Sequence, residues 1–334
     1  MGAGKKGRIF SGMRPTGPLH LGHLVGALRN WAALQDDYDC IYGIVDWHAF
    51  MSEYKSPETV TGNIAPMLAD WIACGIDPER STIMVQSDVP EHLELFMLFS
   101  AVTDLPRVER LPTFKEQVQQ LVEKEINTYA FLGYPVLQAA DIALYKADVV
   151  PVGEDQVPHL EFAREVIRRF HGFLKCEVFP EPQAKLTPAA RLMGTDRRKM
   201  SKSYGNTIPL SATPTEITKQ VMTMITDEAR IRKSDPGHPD ICNVCAYYKV
   251  FAPERYETVT EECRTAKRGC VDCKKELALV LNELLAPIRE KRTEVLADSG
   301  LIERVLKDGA ERACEIARET MKEVAAVTGI PRRG

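Results

Sequence analysis

Over the first half of the chain, short runs of consecutive apolar residues alternate with longer stretches in which apolar positions recur every three or four residues. Arg8-Ile9-Phe10-Ser11 is the first run; Cys40-Ile41-Tyr42-Gly43-Ile44-Val45, Ser81-Thr82-Ile83-Met84-Val85-Gln86 and Val149-Val150-Pro151-Val152 follow. Each has strand length and little polar alternation, the pattern of strands covered on both faces. Between them the period becomes helical, over residues 19–35, 57–75, 134–142 and 159–170. Residues 91–130 read as a helical, polar-rich insertion. Its apolar stretch at 93–102 is expected in the core, with a subunit interface as the second reading. This alternation predicts an α/β fold, a Rossmann-like doubly wound parallel sheet with ligands at the carboxyl ends of its strands.

Beyond residue 205 the strand-like runs stop. Helical periodicity covers 214–227, 247–265, 271–292 and 302–327, with Pro287 expected to kink the third of these. The chain therefore divides into a catalytic domain at 1–205, carrying the insertion near 91–130 and a mobile loop at 194–205, and an all-α domain at 206–299. A terminal helix at 300–334 is expected to pack back on the first domain.

A length of 334 residues with 44% hydrophobic and 27% charged positions suits two globular domains. The net charge of −4 excludes wholesale coating of nucleic acid and leaves room for a local basic face. No apolar run approaches the roughly 18 residues of a membrane span. The polar N-terminus lacks a secretory core, and Lys6 stands where myristoylation wants Ser or Thr. A cytoplasmic protein is expected, so the nine cysteines are reduced thiols or metal ligands rather than disulfides. Residues 2–7 match the letters of the dinucleotide fingerprint, but no strand precedes them, and they read as a tail.

The first strand runs into the loop Gly12-Met13-Arg14-Pro15-Thr16-Gly17, and Leu19-His20-Leu21-Gly22-His23 carries the chain into a helix behind Pro18. A strand–loop–helix of this kind aims backbone N–H groups and the positive end of a helix dipole at an anion. His20 and His23 share one face of the first turn and can both donate to a phosphate, while Gly22 lets a flat ring approach the backbone. Taken alone, the stretch reads equally as an amphipathic helix with two surface histidines. Far downstream, Lys199-Met200-Ser201-Lys202-Ser203 forms a basic loop between Gly194 and Gly205. The two stretches together resemble the paired signature of class I aminoacyl-tRNA synthetases.

Residues 10–23, 44–50, 134–145, 149–161 and 199–203 resemble, in order, bacterial tryptophanyl-tRNA synthetases, and the run from Val149 to His159 is the most specific piece. Many members have Thr and Asn where this chain has His20 and His23. The resemblance implies two steps. The carboxylate of L-tryptophan attacks the α-phosphorus of Mg2+-ATP, and the 2′-hydroxyl at the 3′ end of tRNA(Trp) then takes the acyl group. The first step is an in-line displacement that needs positioning and charge stabilisation rather than a protein nucleophile. His20, His23, Lys199 and Lys202 are the expected catalytic groups. ATP would be held by Arg14, Pro15, Thr16, Gly22, His23, Gly153, Glu154, Asp155, Leu192 and the 199–203 loop, which includes Met200, Ser201 and Ser203.

For the amino acid, Asp141 is expected to accept the indole N–H. It lies one helical turn beyond Gln138, among the apolar Ala139, Ala140, Ile142 and Leu144, where an unpaired carboxylate would be costly. By resemblance Phe10, Gly12, Val45, His48, Tyr134, Gln138, Val150, Val152 and Gln156 complete the pocket; the valines read equally well as plain core. The nearest rival is a tyrosyl-tRNA synthetase, which shares the fold and both signatures. A nucleotidyltransferase with the same histidine chemistry and a non-enzymatic tRNA-binding protein are more distant. The family resemblance also implies a homodimer.

Cys263, Cys270 and Cys273 form C-x6-C-x2-C, with Cys242 or Cys245 upstream; Cys40, Cys74, Cys176 and Cys314 are scattered and read as small buried hydrophobes. Four thiolates suit tetrahedral Zn2+ or a [4Fe–4S] cluster, and spacing leaves both open. A subset of bacterial tryptophanyl-tRNA synthetases carries a C-x22-C-x6-C-x2-C cluster motif. This chain is similar to it around Pro239-Asp240-Ile241-Cys242-Asn243-Val244 and Gly269-Cys270-Val271-Asp272-Cys273, with a first interval of twenty residues from Cys242. That resemblance implies a structural [4Fe–4S] cluster on Cys242, Cys263, Cys270 and Cys273, tying together helices that face the tRNA anticodon.

Overall fold

The computed structural model describes residues 5–111, 125–186, 192–200 and 204–331. Five strands, β1 (Arg8–Met13), β2 (Asp39–Ile44), β3 (Ser81–Val85), β4 (Val149–Val152) and β5 (Gln183–Leu186), form one parallel sheet in the order β3-β2-β1-β4-β5. The first three strands are laid down outward from β1 in one direction and the last two in the other. The switch point therefore falls between β1 and β4, where such sheets open a crevice at their carboxyl ends.

Around the sheet run α1 (Leu21–His23), a π-helical turn (Leu24–Leu28), α2 (Arg29–Leu34), α3 (Asp46–Glu53), α4 (Pro57–Gly62), α5 (Ile64–Ala73), α6 (Glu91–Ala101), α7 (Leu105–Glu109), α8 (Tyr129–Leu132), α9 (Tyr134–Leu144) and α10 (Val157–Leu174). After β5 come α11 (Pro214–Thr223), α12 (Asn243–Phe251), α13 (Pro253–Arg264), α14 (Cys270–Ala297) and α15 (Ser299–Thr328).

Successive strand residues point to opposite faces, and both faces are covered. Ile9, Cys40, Tyr42, Ile44, Ile83 and Val85 pack with Leu21, Leu24, Trp31 and Trp71 on one side. Phe10, Ile41, Met84, Val150 and Val152 pack with residues of α9, α10 and α15 on the other. The first cluster continues through Met67 and Trp71 into Leu277, Leu281 and Leu285 of α14, so sheet and C-terminal helices share a core. Asp70 of α5 and Arg292 of α14 add a 2.7 Å ion pair across that contact, with Asp70 almost fully buried. Among the described residues no helix is long and apolar enough to cross a membrane.

Several expected elements differ. Residues 57–75 are two helices broken at Asn63, because Gly62 weakens the helix and Pro66 cannot donate to the preceding turn. Residues 247–265 break at Ala252 for the same reason: Pro253 starts a new helix. The first helix is interrupted by the π-helical turn. At 91–130 the structure shows three short helices, with residues 112–124 outside those described. The apolar stretch there is largely absorbed by the core: Leu95 and Phe99 are fully buried and Met97 is exposed. The 271–292 helix runs on through Pro287 from Cys270 to Ala297. β5 escaped the sequence reading because it is a polar edge strand of four residues.

α15 packs directly on β3. Gly309 lies so close to that strand that a Cβ there would run into the carbonyl oxygen of Ile83. Strand backbone cannot yield as a flexible side chain does, so Gly309→Ala should destabilise the protein by about 1–3 kcal/mol or more. Urea unfolding would show this as a lowered midpoint. An unchanged midpoint would mean that α15 does not sit on β3.

Candidate active site

A cavity of about 360 Å³ opens at the switch point, lined by β1 residues Phe10, Ser11 and Gly12, by Val45 after β2, by Val150–Val152 of β4, and by Tyr134, Gln138, Asp141 and Ile142 of α9. Arg14, His48, Phe131, Gly153, Gln156 and His159 complete the wall. Its walls are divided between apolar side chains and convergent polar ones, among them Arg14, His48, Gln138, Asp141 and Gln156, a make-up that suits a small molecule with both a flat apolar part and polar groups. Close approach matters at Gly12, where a Cβ would stand 2.7 Å from the Val45 side chain.

Asp141 is the electrostatic centre. It is 2% exposed. Its Oδ1 accepts from Gln86 Nε2 at 2.8 Å and His92 Nδ1 at 2.7 Å, and its Oδ2 accepts from His48 Nε2 at 2.9 Å. Burial alone would push this carboxyl up, but His92 and His48 outweigh it and hold the group below the usual carboxylate range. Asp141 is therefore ionised at neutral pH. Behind it, His92 Nε2 lies 2.8 Å from the Tyr145 hydroxyl. Burial raises the Tyr145 phenol, so it keeps its proton and donates to His92, leaving Nδ1–H to face Asp141. Two donors occupy Oδ1 and one occupies Oδ2, which leaves Oδ2 with acceptor capacity on a residue that lines the cavity. Across the pocket, burial lowers His159 to about 4, so that ring is neutral near pH 7.

At the start of α1 the structure corrects one expectation. The N–H groups of the first turn are not free for an anion: Leu21 N–H donates to Ile208 O, Gly22 N–H to His20 Nδ1, and His23 N–H to His20 O. His20 N–H in turn donates to His23 Nδ1, so the two histidines cap their own helix reciprocally, with ring centroids 3.9 Å apart. With both Nδ1 atoms accepting, the neutral rings carry their protons on Nε2, and any phosphate contact runs through those atoms.

The two signature stretches meet here. Leu210 N–H donates to Leu19 O, His20 bridges Pro209, and Met200 packs over Gly22, with its sulfur 3.0 Å from where a Cβ would lie. The close approach expected at Gly22 is thus made by Met200. Met193 bridges Lys199 in antiparallel fashion, and Asn206 Nδ2 donates to Lys199 O at 3.1 Å and to Asp196 at 2.7 Å. Ser201, Lys202 and Ser203 lie outside the described residues.

A third locus lies in the C-terminal helices, where Cys242, Cys245, Cys263, Cys270 and Cys273 line one cavity of about 20 Å³ with Thr226, Arg230 and Arg268. Cys242 caps the N-terminus of α12. It is held below the usual thiol range by the Cys245 thiol, by the backbone N–H groups of Val244 and Cys245, and by Arg197. Burial pushes Cys273 up to about 12. Among the described residues, no group of three or more Cys, His, Asp or Glu side chains is arranged to hold a metal ion. The donors are thiols, which suits zinc or an iron–sulfur cluster. The space as packed is that of a single water or ion, so a cluster would require the thiols to move apart.

All ten residues expected around the amino acid line the main cavity, together with Arg14 and Gly153. Pro15, Thr16, His20, Gly22, His23, Glu154, Asp155, Leu192, Lys199 and Met200 do not line it. Glu154 and Asp155 stand exposed in a short 3-10 turn, and Leu192 packs against the core near Met200. Sequence reasoning missed Gln86 and His92, which hold Asp141, Tyr145 behind His92, and Phe131 and His159 in the wall. His92 carried little signal beyond its place just before Leu93, Leu95 and Phe96; the structure shows it fully buried, where its ring nitrogens need partners.

The profile of the tRNA synthetases class I (W and Y) matches residues 3–286. The chain is 49% identical to a tryptophan–tRNA ligase of Thermotoga maritima, over 95% of this chain and 97% of that protein. It is 40% identical to one of Aquifex aeolicus, over 97% and 100%. The crystal structure of tryptophanyl-tRNA synthetase from Campylobacter jejuni complexed with ADP and tryptophan superposes with a TM-score of 0.86 at 31% identity, covering 97% of this chain and 100% of that one.

Proposed function

Because this chain belongs to the class I tRNA synthetases for tryptophan and tyrosine, we infer that it is a tryptophan–tRNA ligase. It activates L-tryptophan with ATP to tryptophanyl-adenylate and pyrophosphate, and passes the tryptophan to the 3′ end of tRNA(Trp). The observation that carries the choice of amino acid is the ionised Asp141 beside Phe10, Val45, Ile142, Val150 and Val152 in the cavity wall, with acceptor capacity left on Oδ2. A flat apolar ring with one N–H fits that arrangement. The relatives of Thermotoga and Aquifex, both tryptophan–tRNA ligases, favour it over tyrosine.

In this reading Phe10, Val45, Val150 and Val152 enclose the indole, and Gln138, Tyr134 and Gln156 face its amino-acid end. Gly12 lets the ring approach β1, and His48 braces Asp141. Arg14 and Gly153 line the same pocket and would receive the nucleotide, whose Mg2+ is expected for the family. His20 and His23 present Nε2–H groups, and Lys199 and Lys202 supply cations to the phosphates. Residues 1–205 carry this chemistry, residues 206–299 meet the anticodon, and the C-terminal helix at 300–334 braces the first domain. The reaction's tRNA substrate puts the protein in the cytoplasm.

Pyrophosphate exchange driven by each amino acid tests the reading: tryptophan should support it and tyrosine should not. Asp141→Asn keeps the size but replaces an ionic acceptor. It should lower kcat/KM for tryptophan by about 10–100-fold with the KM for ATP unchanged. Full tryptophan selectivity in that variant would remove Asp141 from the role.

Cys242, Cys263, Cys270 and Cys273 are proposed to hold a structural [4Fe–4S] cluster, with zinc as the alternative. Five thiols on one cavity and the thiolate-favouring surroundings of Cys242 support a bound metal; Cys245, on the same cavity, is the other candidate for the first ligand. Such a centre would tie α12, α13 and α14 together without entering the reaction. Protein purified without oxygen should be brown, with about four irons per chain. One zinc in colourless protein decides for the alternative, and neither metal removes the proposal.

A symmetric homodimer is proposed as well. Met97, 68% exposed, adjoins an apolar groove between α6 and α15 that includes Leu98, Met321 and Val324. Light scattering at micromolar concentration should give twice the chain mass, and a monomer would refute the dimer.

A further inference from the structure

The stem that carries Lys199 is fastened to the helix that starts at the cysteine cavity. Asn243 Nδ2 donates to Gly194 O at 2.8 Å, and the Tyr247 hydroxyl donates to Met193 O at 2.8 Å. Both side chains come from α12, one turn apart, and both are buried. Met193 is the residue that bridges Lys199, and Gly194 N–H donates to Arg198 O at 2.7 Å, so the two carbonyls held by α12 belong to the strand facing Lys199. The opposite side is fixed too. Ile225 N–H donates to Thr195 O at 2.9 Å, and the Arg197 guanidinium donates to Thr226 O. Thr226 and Cys242, the residue just before Asn243, both line the cysteine cavity. There is no slack at Gly194, where a Cβ would collide with Asn206.

We propose that Asn243 and Tyr247 are positioning residues for adenylate formation, acting through the backbone of the Lys199 stem. This rests on the reading of Lys199 as a lysine that serves the ATP phosphates. Neither side chain lines the amino-acid cavity, so their effect should fall on the rate of activation and not on tryptophan binding. A displacement of the stem moves the lysine relative to the phosphates, and small displacements of a positioned group are costly in rate.

Three variants test this by tryptophan-dependent pyrophosphate exchange in the full chain. Tyr247→Phe deletes one hydroxyl and keeps the ring, and should lower kcat about threefold to tenfold. Asn243→Asp replaces the amide donor with a carboxylate facing a carbonyl, and should lower kcat about a hundredfold. In both, the KM for tryptophan should stay within about twofold. If these residues act through Lys199, Asn243→Asp should cost far less in a Lys199→Ala background, a non-additivity that general loosening of the helix would not give. Should Asn243→Asp fail to fold, Tyr247→Phe is carried through the same cycle. Full kcat in the variants, or losses that simply multiply with Lys199→Ala, would overturn the proposal. Wild-type protein without tryptophan-dependent exchange would instead overturn the functional reading on which it rests.

Discussion

The arrangement of the whole site depends on a main-chain pairing between two segments far apart in sequence. Leu21 N–H donates to Ile208 O and Leu210 N–H donates to Leu19 O, at 3.0 and 2.9 Å. These bonds do not depend on side-chain identity, and they fix the histidine turn against the segment that follows the lysine–serine stretch. What side chains decide is how close the rest can come. Gly22 offers no Cβ, so Met200 lies directly over it; Pro209 has no N–H, so its position in the pairing leaves no donor unmet. The reciprocal His20–His23 cap then turns both rings the same way with respect to their protons. The pairing thus joins two stretches that separately read as an amphipathic helix and a basic loop.

Asp141 shows a second constraint, set by acceptor counting. A buried carboxylate has about four acceptor positions, and an unmet donor around it would cost about 1–3 kcal/mol. Here β3's end, α3 and α6 each send one donor, from Gln86, His48 and His92. Three elements are thereby pinned to α9 at one point, on a residue that also lines the cavity. The same contacts that hold the group ionised also define the direction from which a further N–H can arrive. Recognition and local stability at this point are consequently inseparable, which is why the size-conserving substitution is more informative here than truncation.

Much of this was legible in the chain itself. The buried strands announced themselves as apolar runs of strand length, and parallel pairing followed from the helices between them. The residues around the cavity were named by resemblance to the family, on segments at the ends of β1, β2 and β4 and along α9; taken alone, the valines among them read equally well as core. The failures share a physical origin: they are features set by non-local contacts or by single backbone donors. Pro66 and Pro253 break helices whose side-chain periodicity continues across the break, so periodicity alone reads through them. β5 is polar because it is an exposed edge held by pairing to β4. Gln86 and His92 lie in different elements from Asp141, and no local spacing links them to it. The N–H groups expected to be free at the start of α1 are taken, one by Ile208, almost two hundred residues away, and two by His20.

The C-terminal helices are not attached to the sheet by a polar seam alone. One apolar cluster passes from Ile83 and Val85 through Trp71 to Leu281 and Leu285. Asp70, within that contact, is compensated by Arg292. Separating the two parts would expose large apolar side chains at about 25 cal/mol per Å² and strand a buried carboxylate as well. The stem of the lysine loop sits in the same continuity, because Asn243 and Tyr247 reach it from α12, whose Tyr247, Tyr248 and Val244 belong to that cluster. A displacement of α12 therefore cannot be absorbed within the helical region. It must either disturb the shared core or be passed on to Met193 and Gly194, whose carbonyls Tyr247 and Asn243 hold.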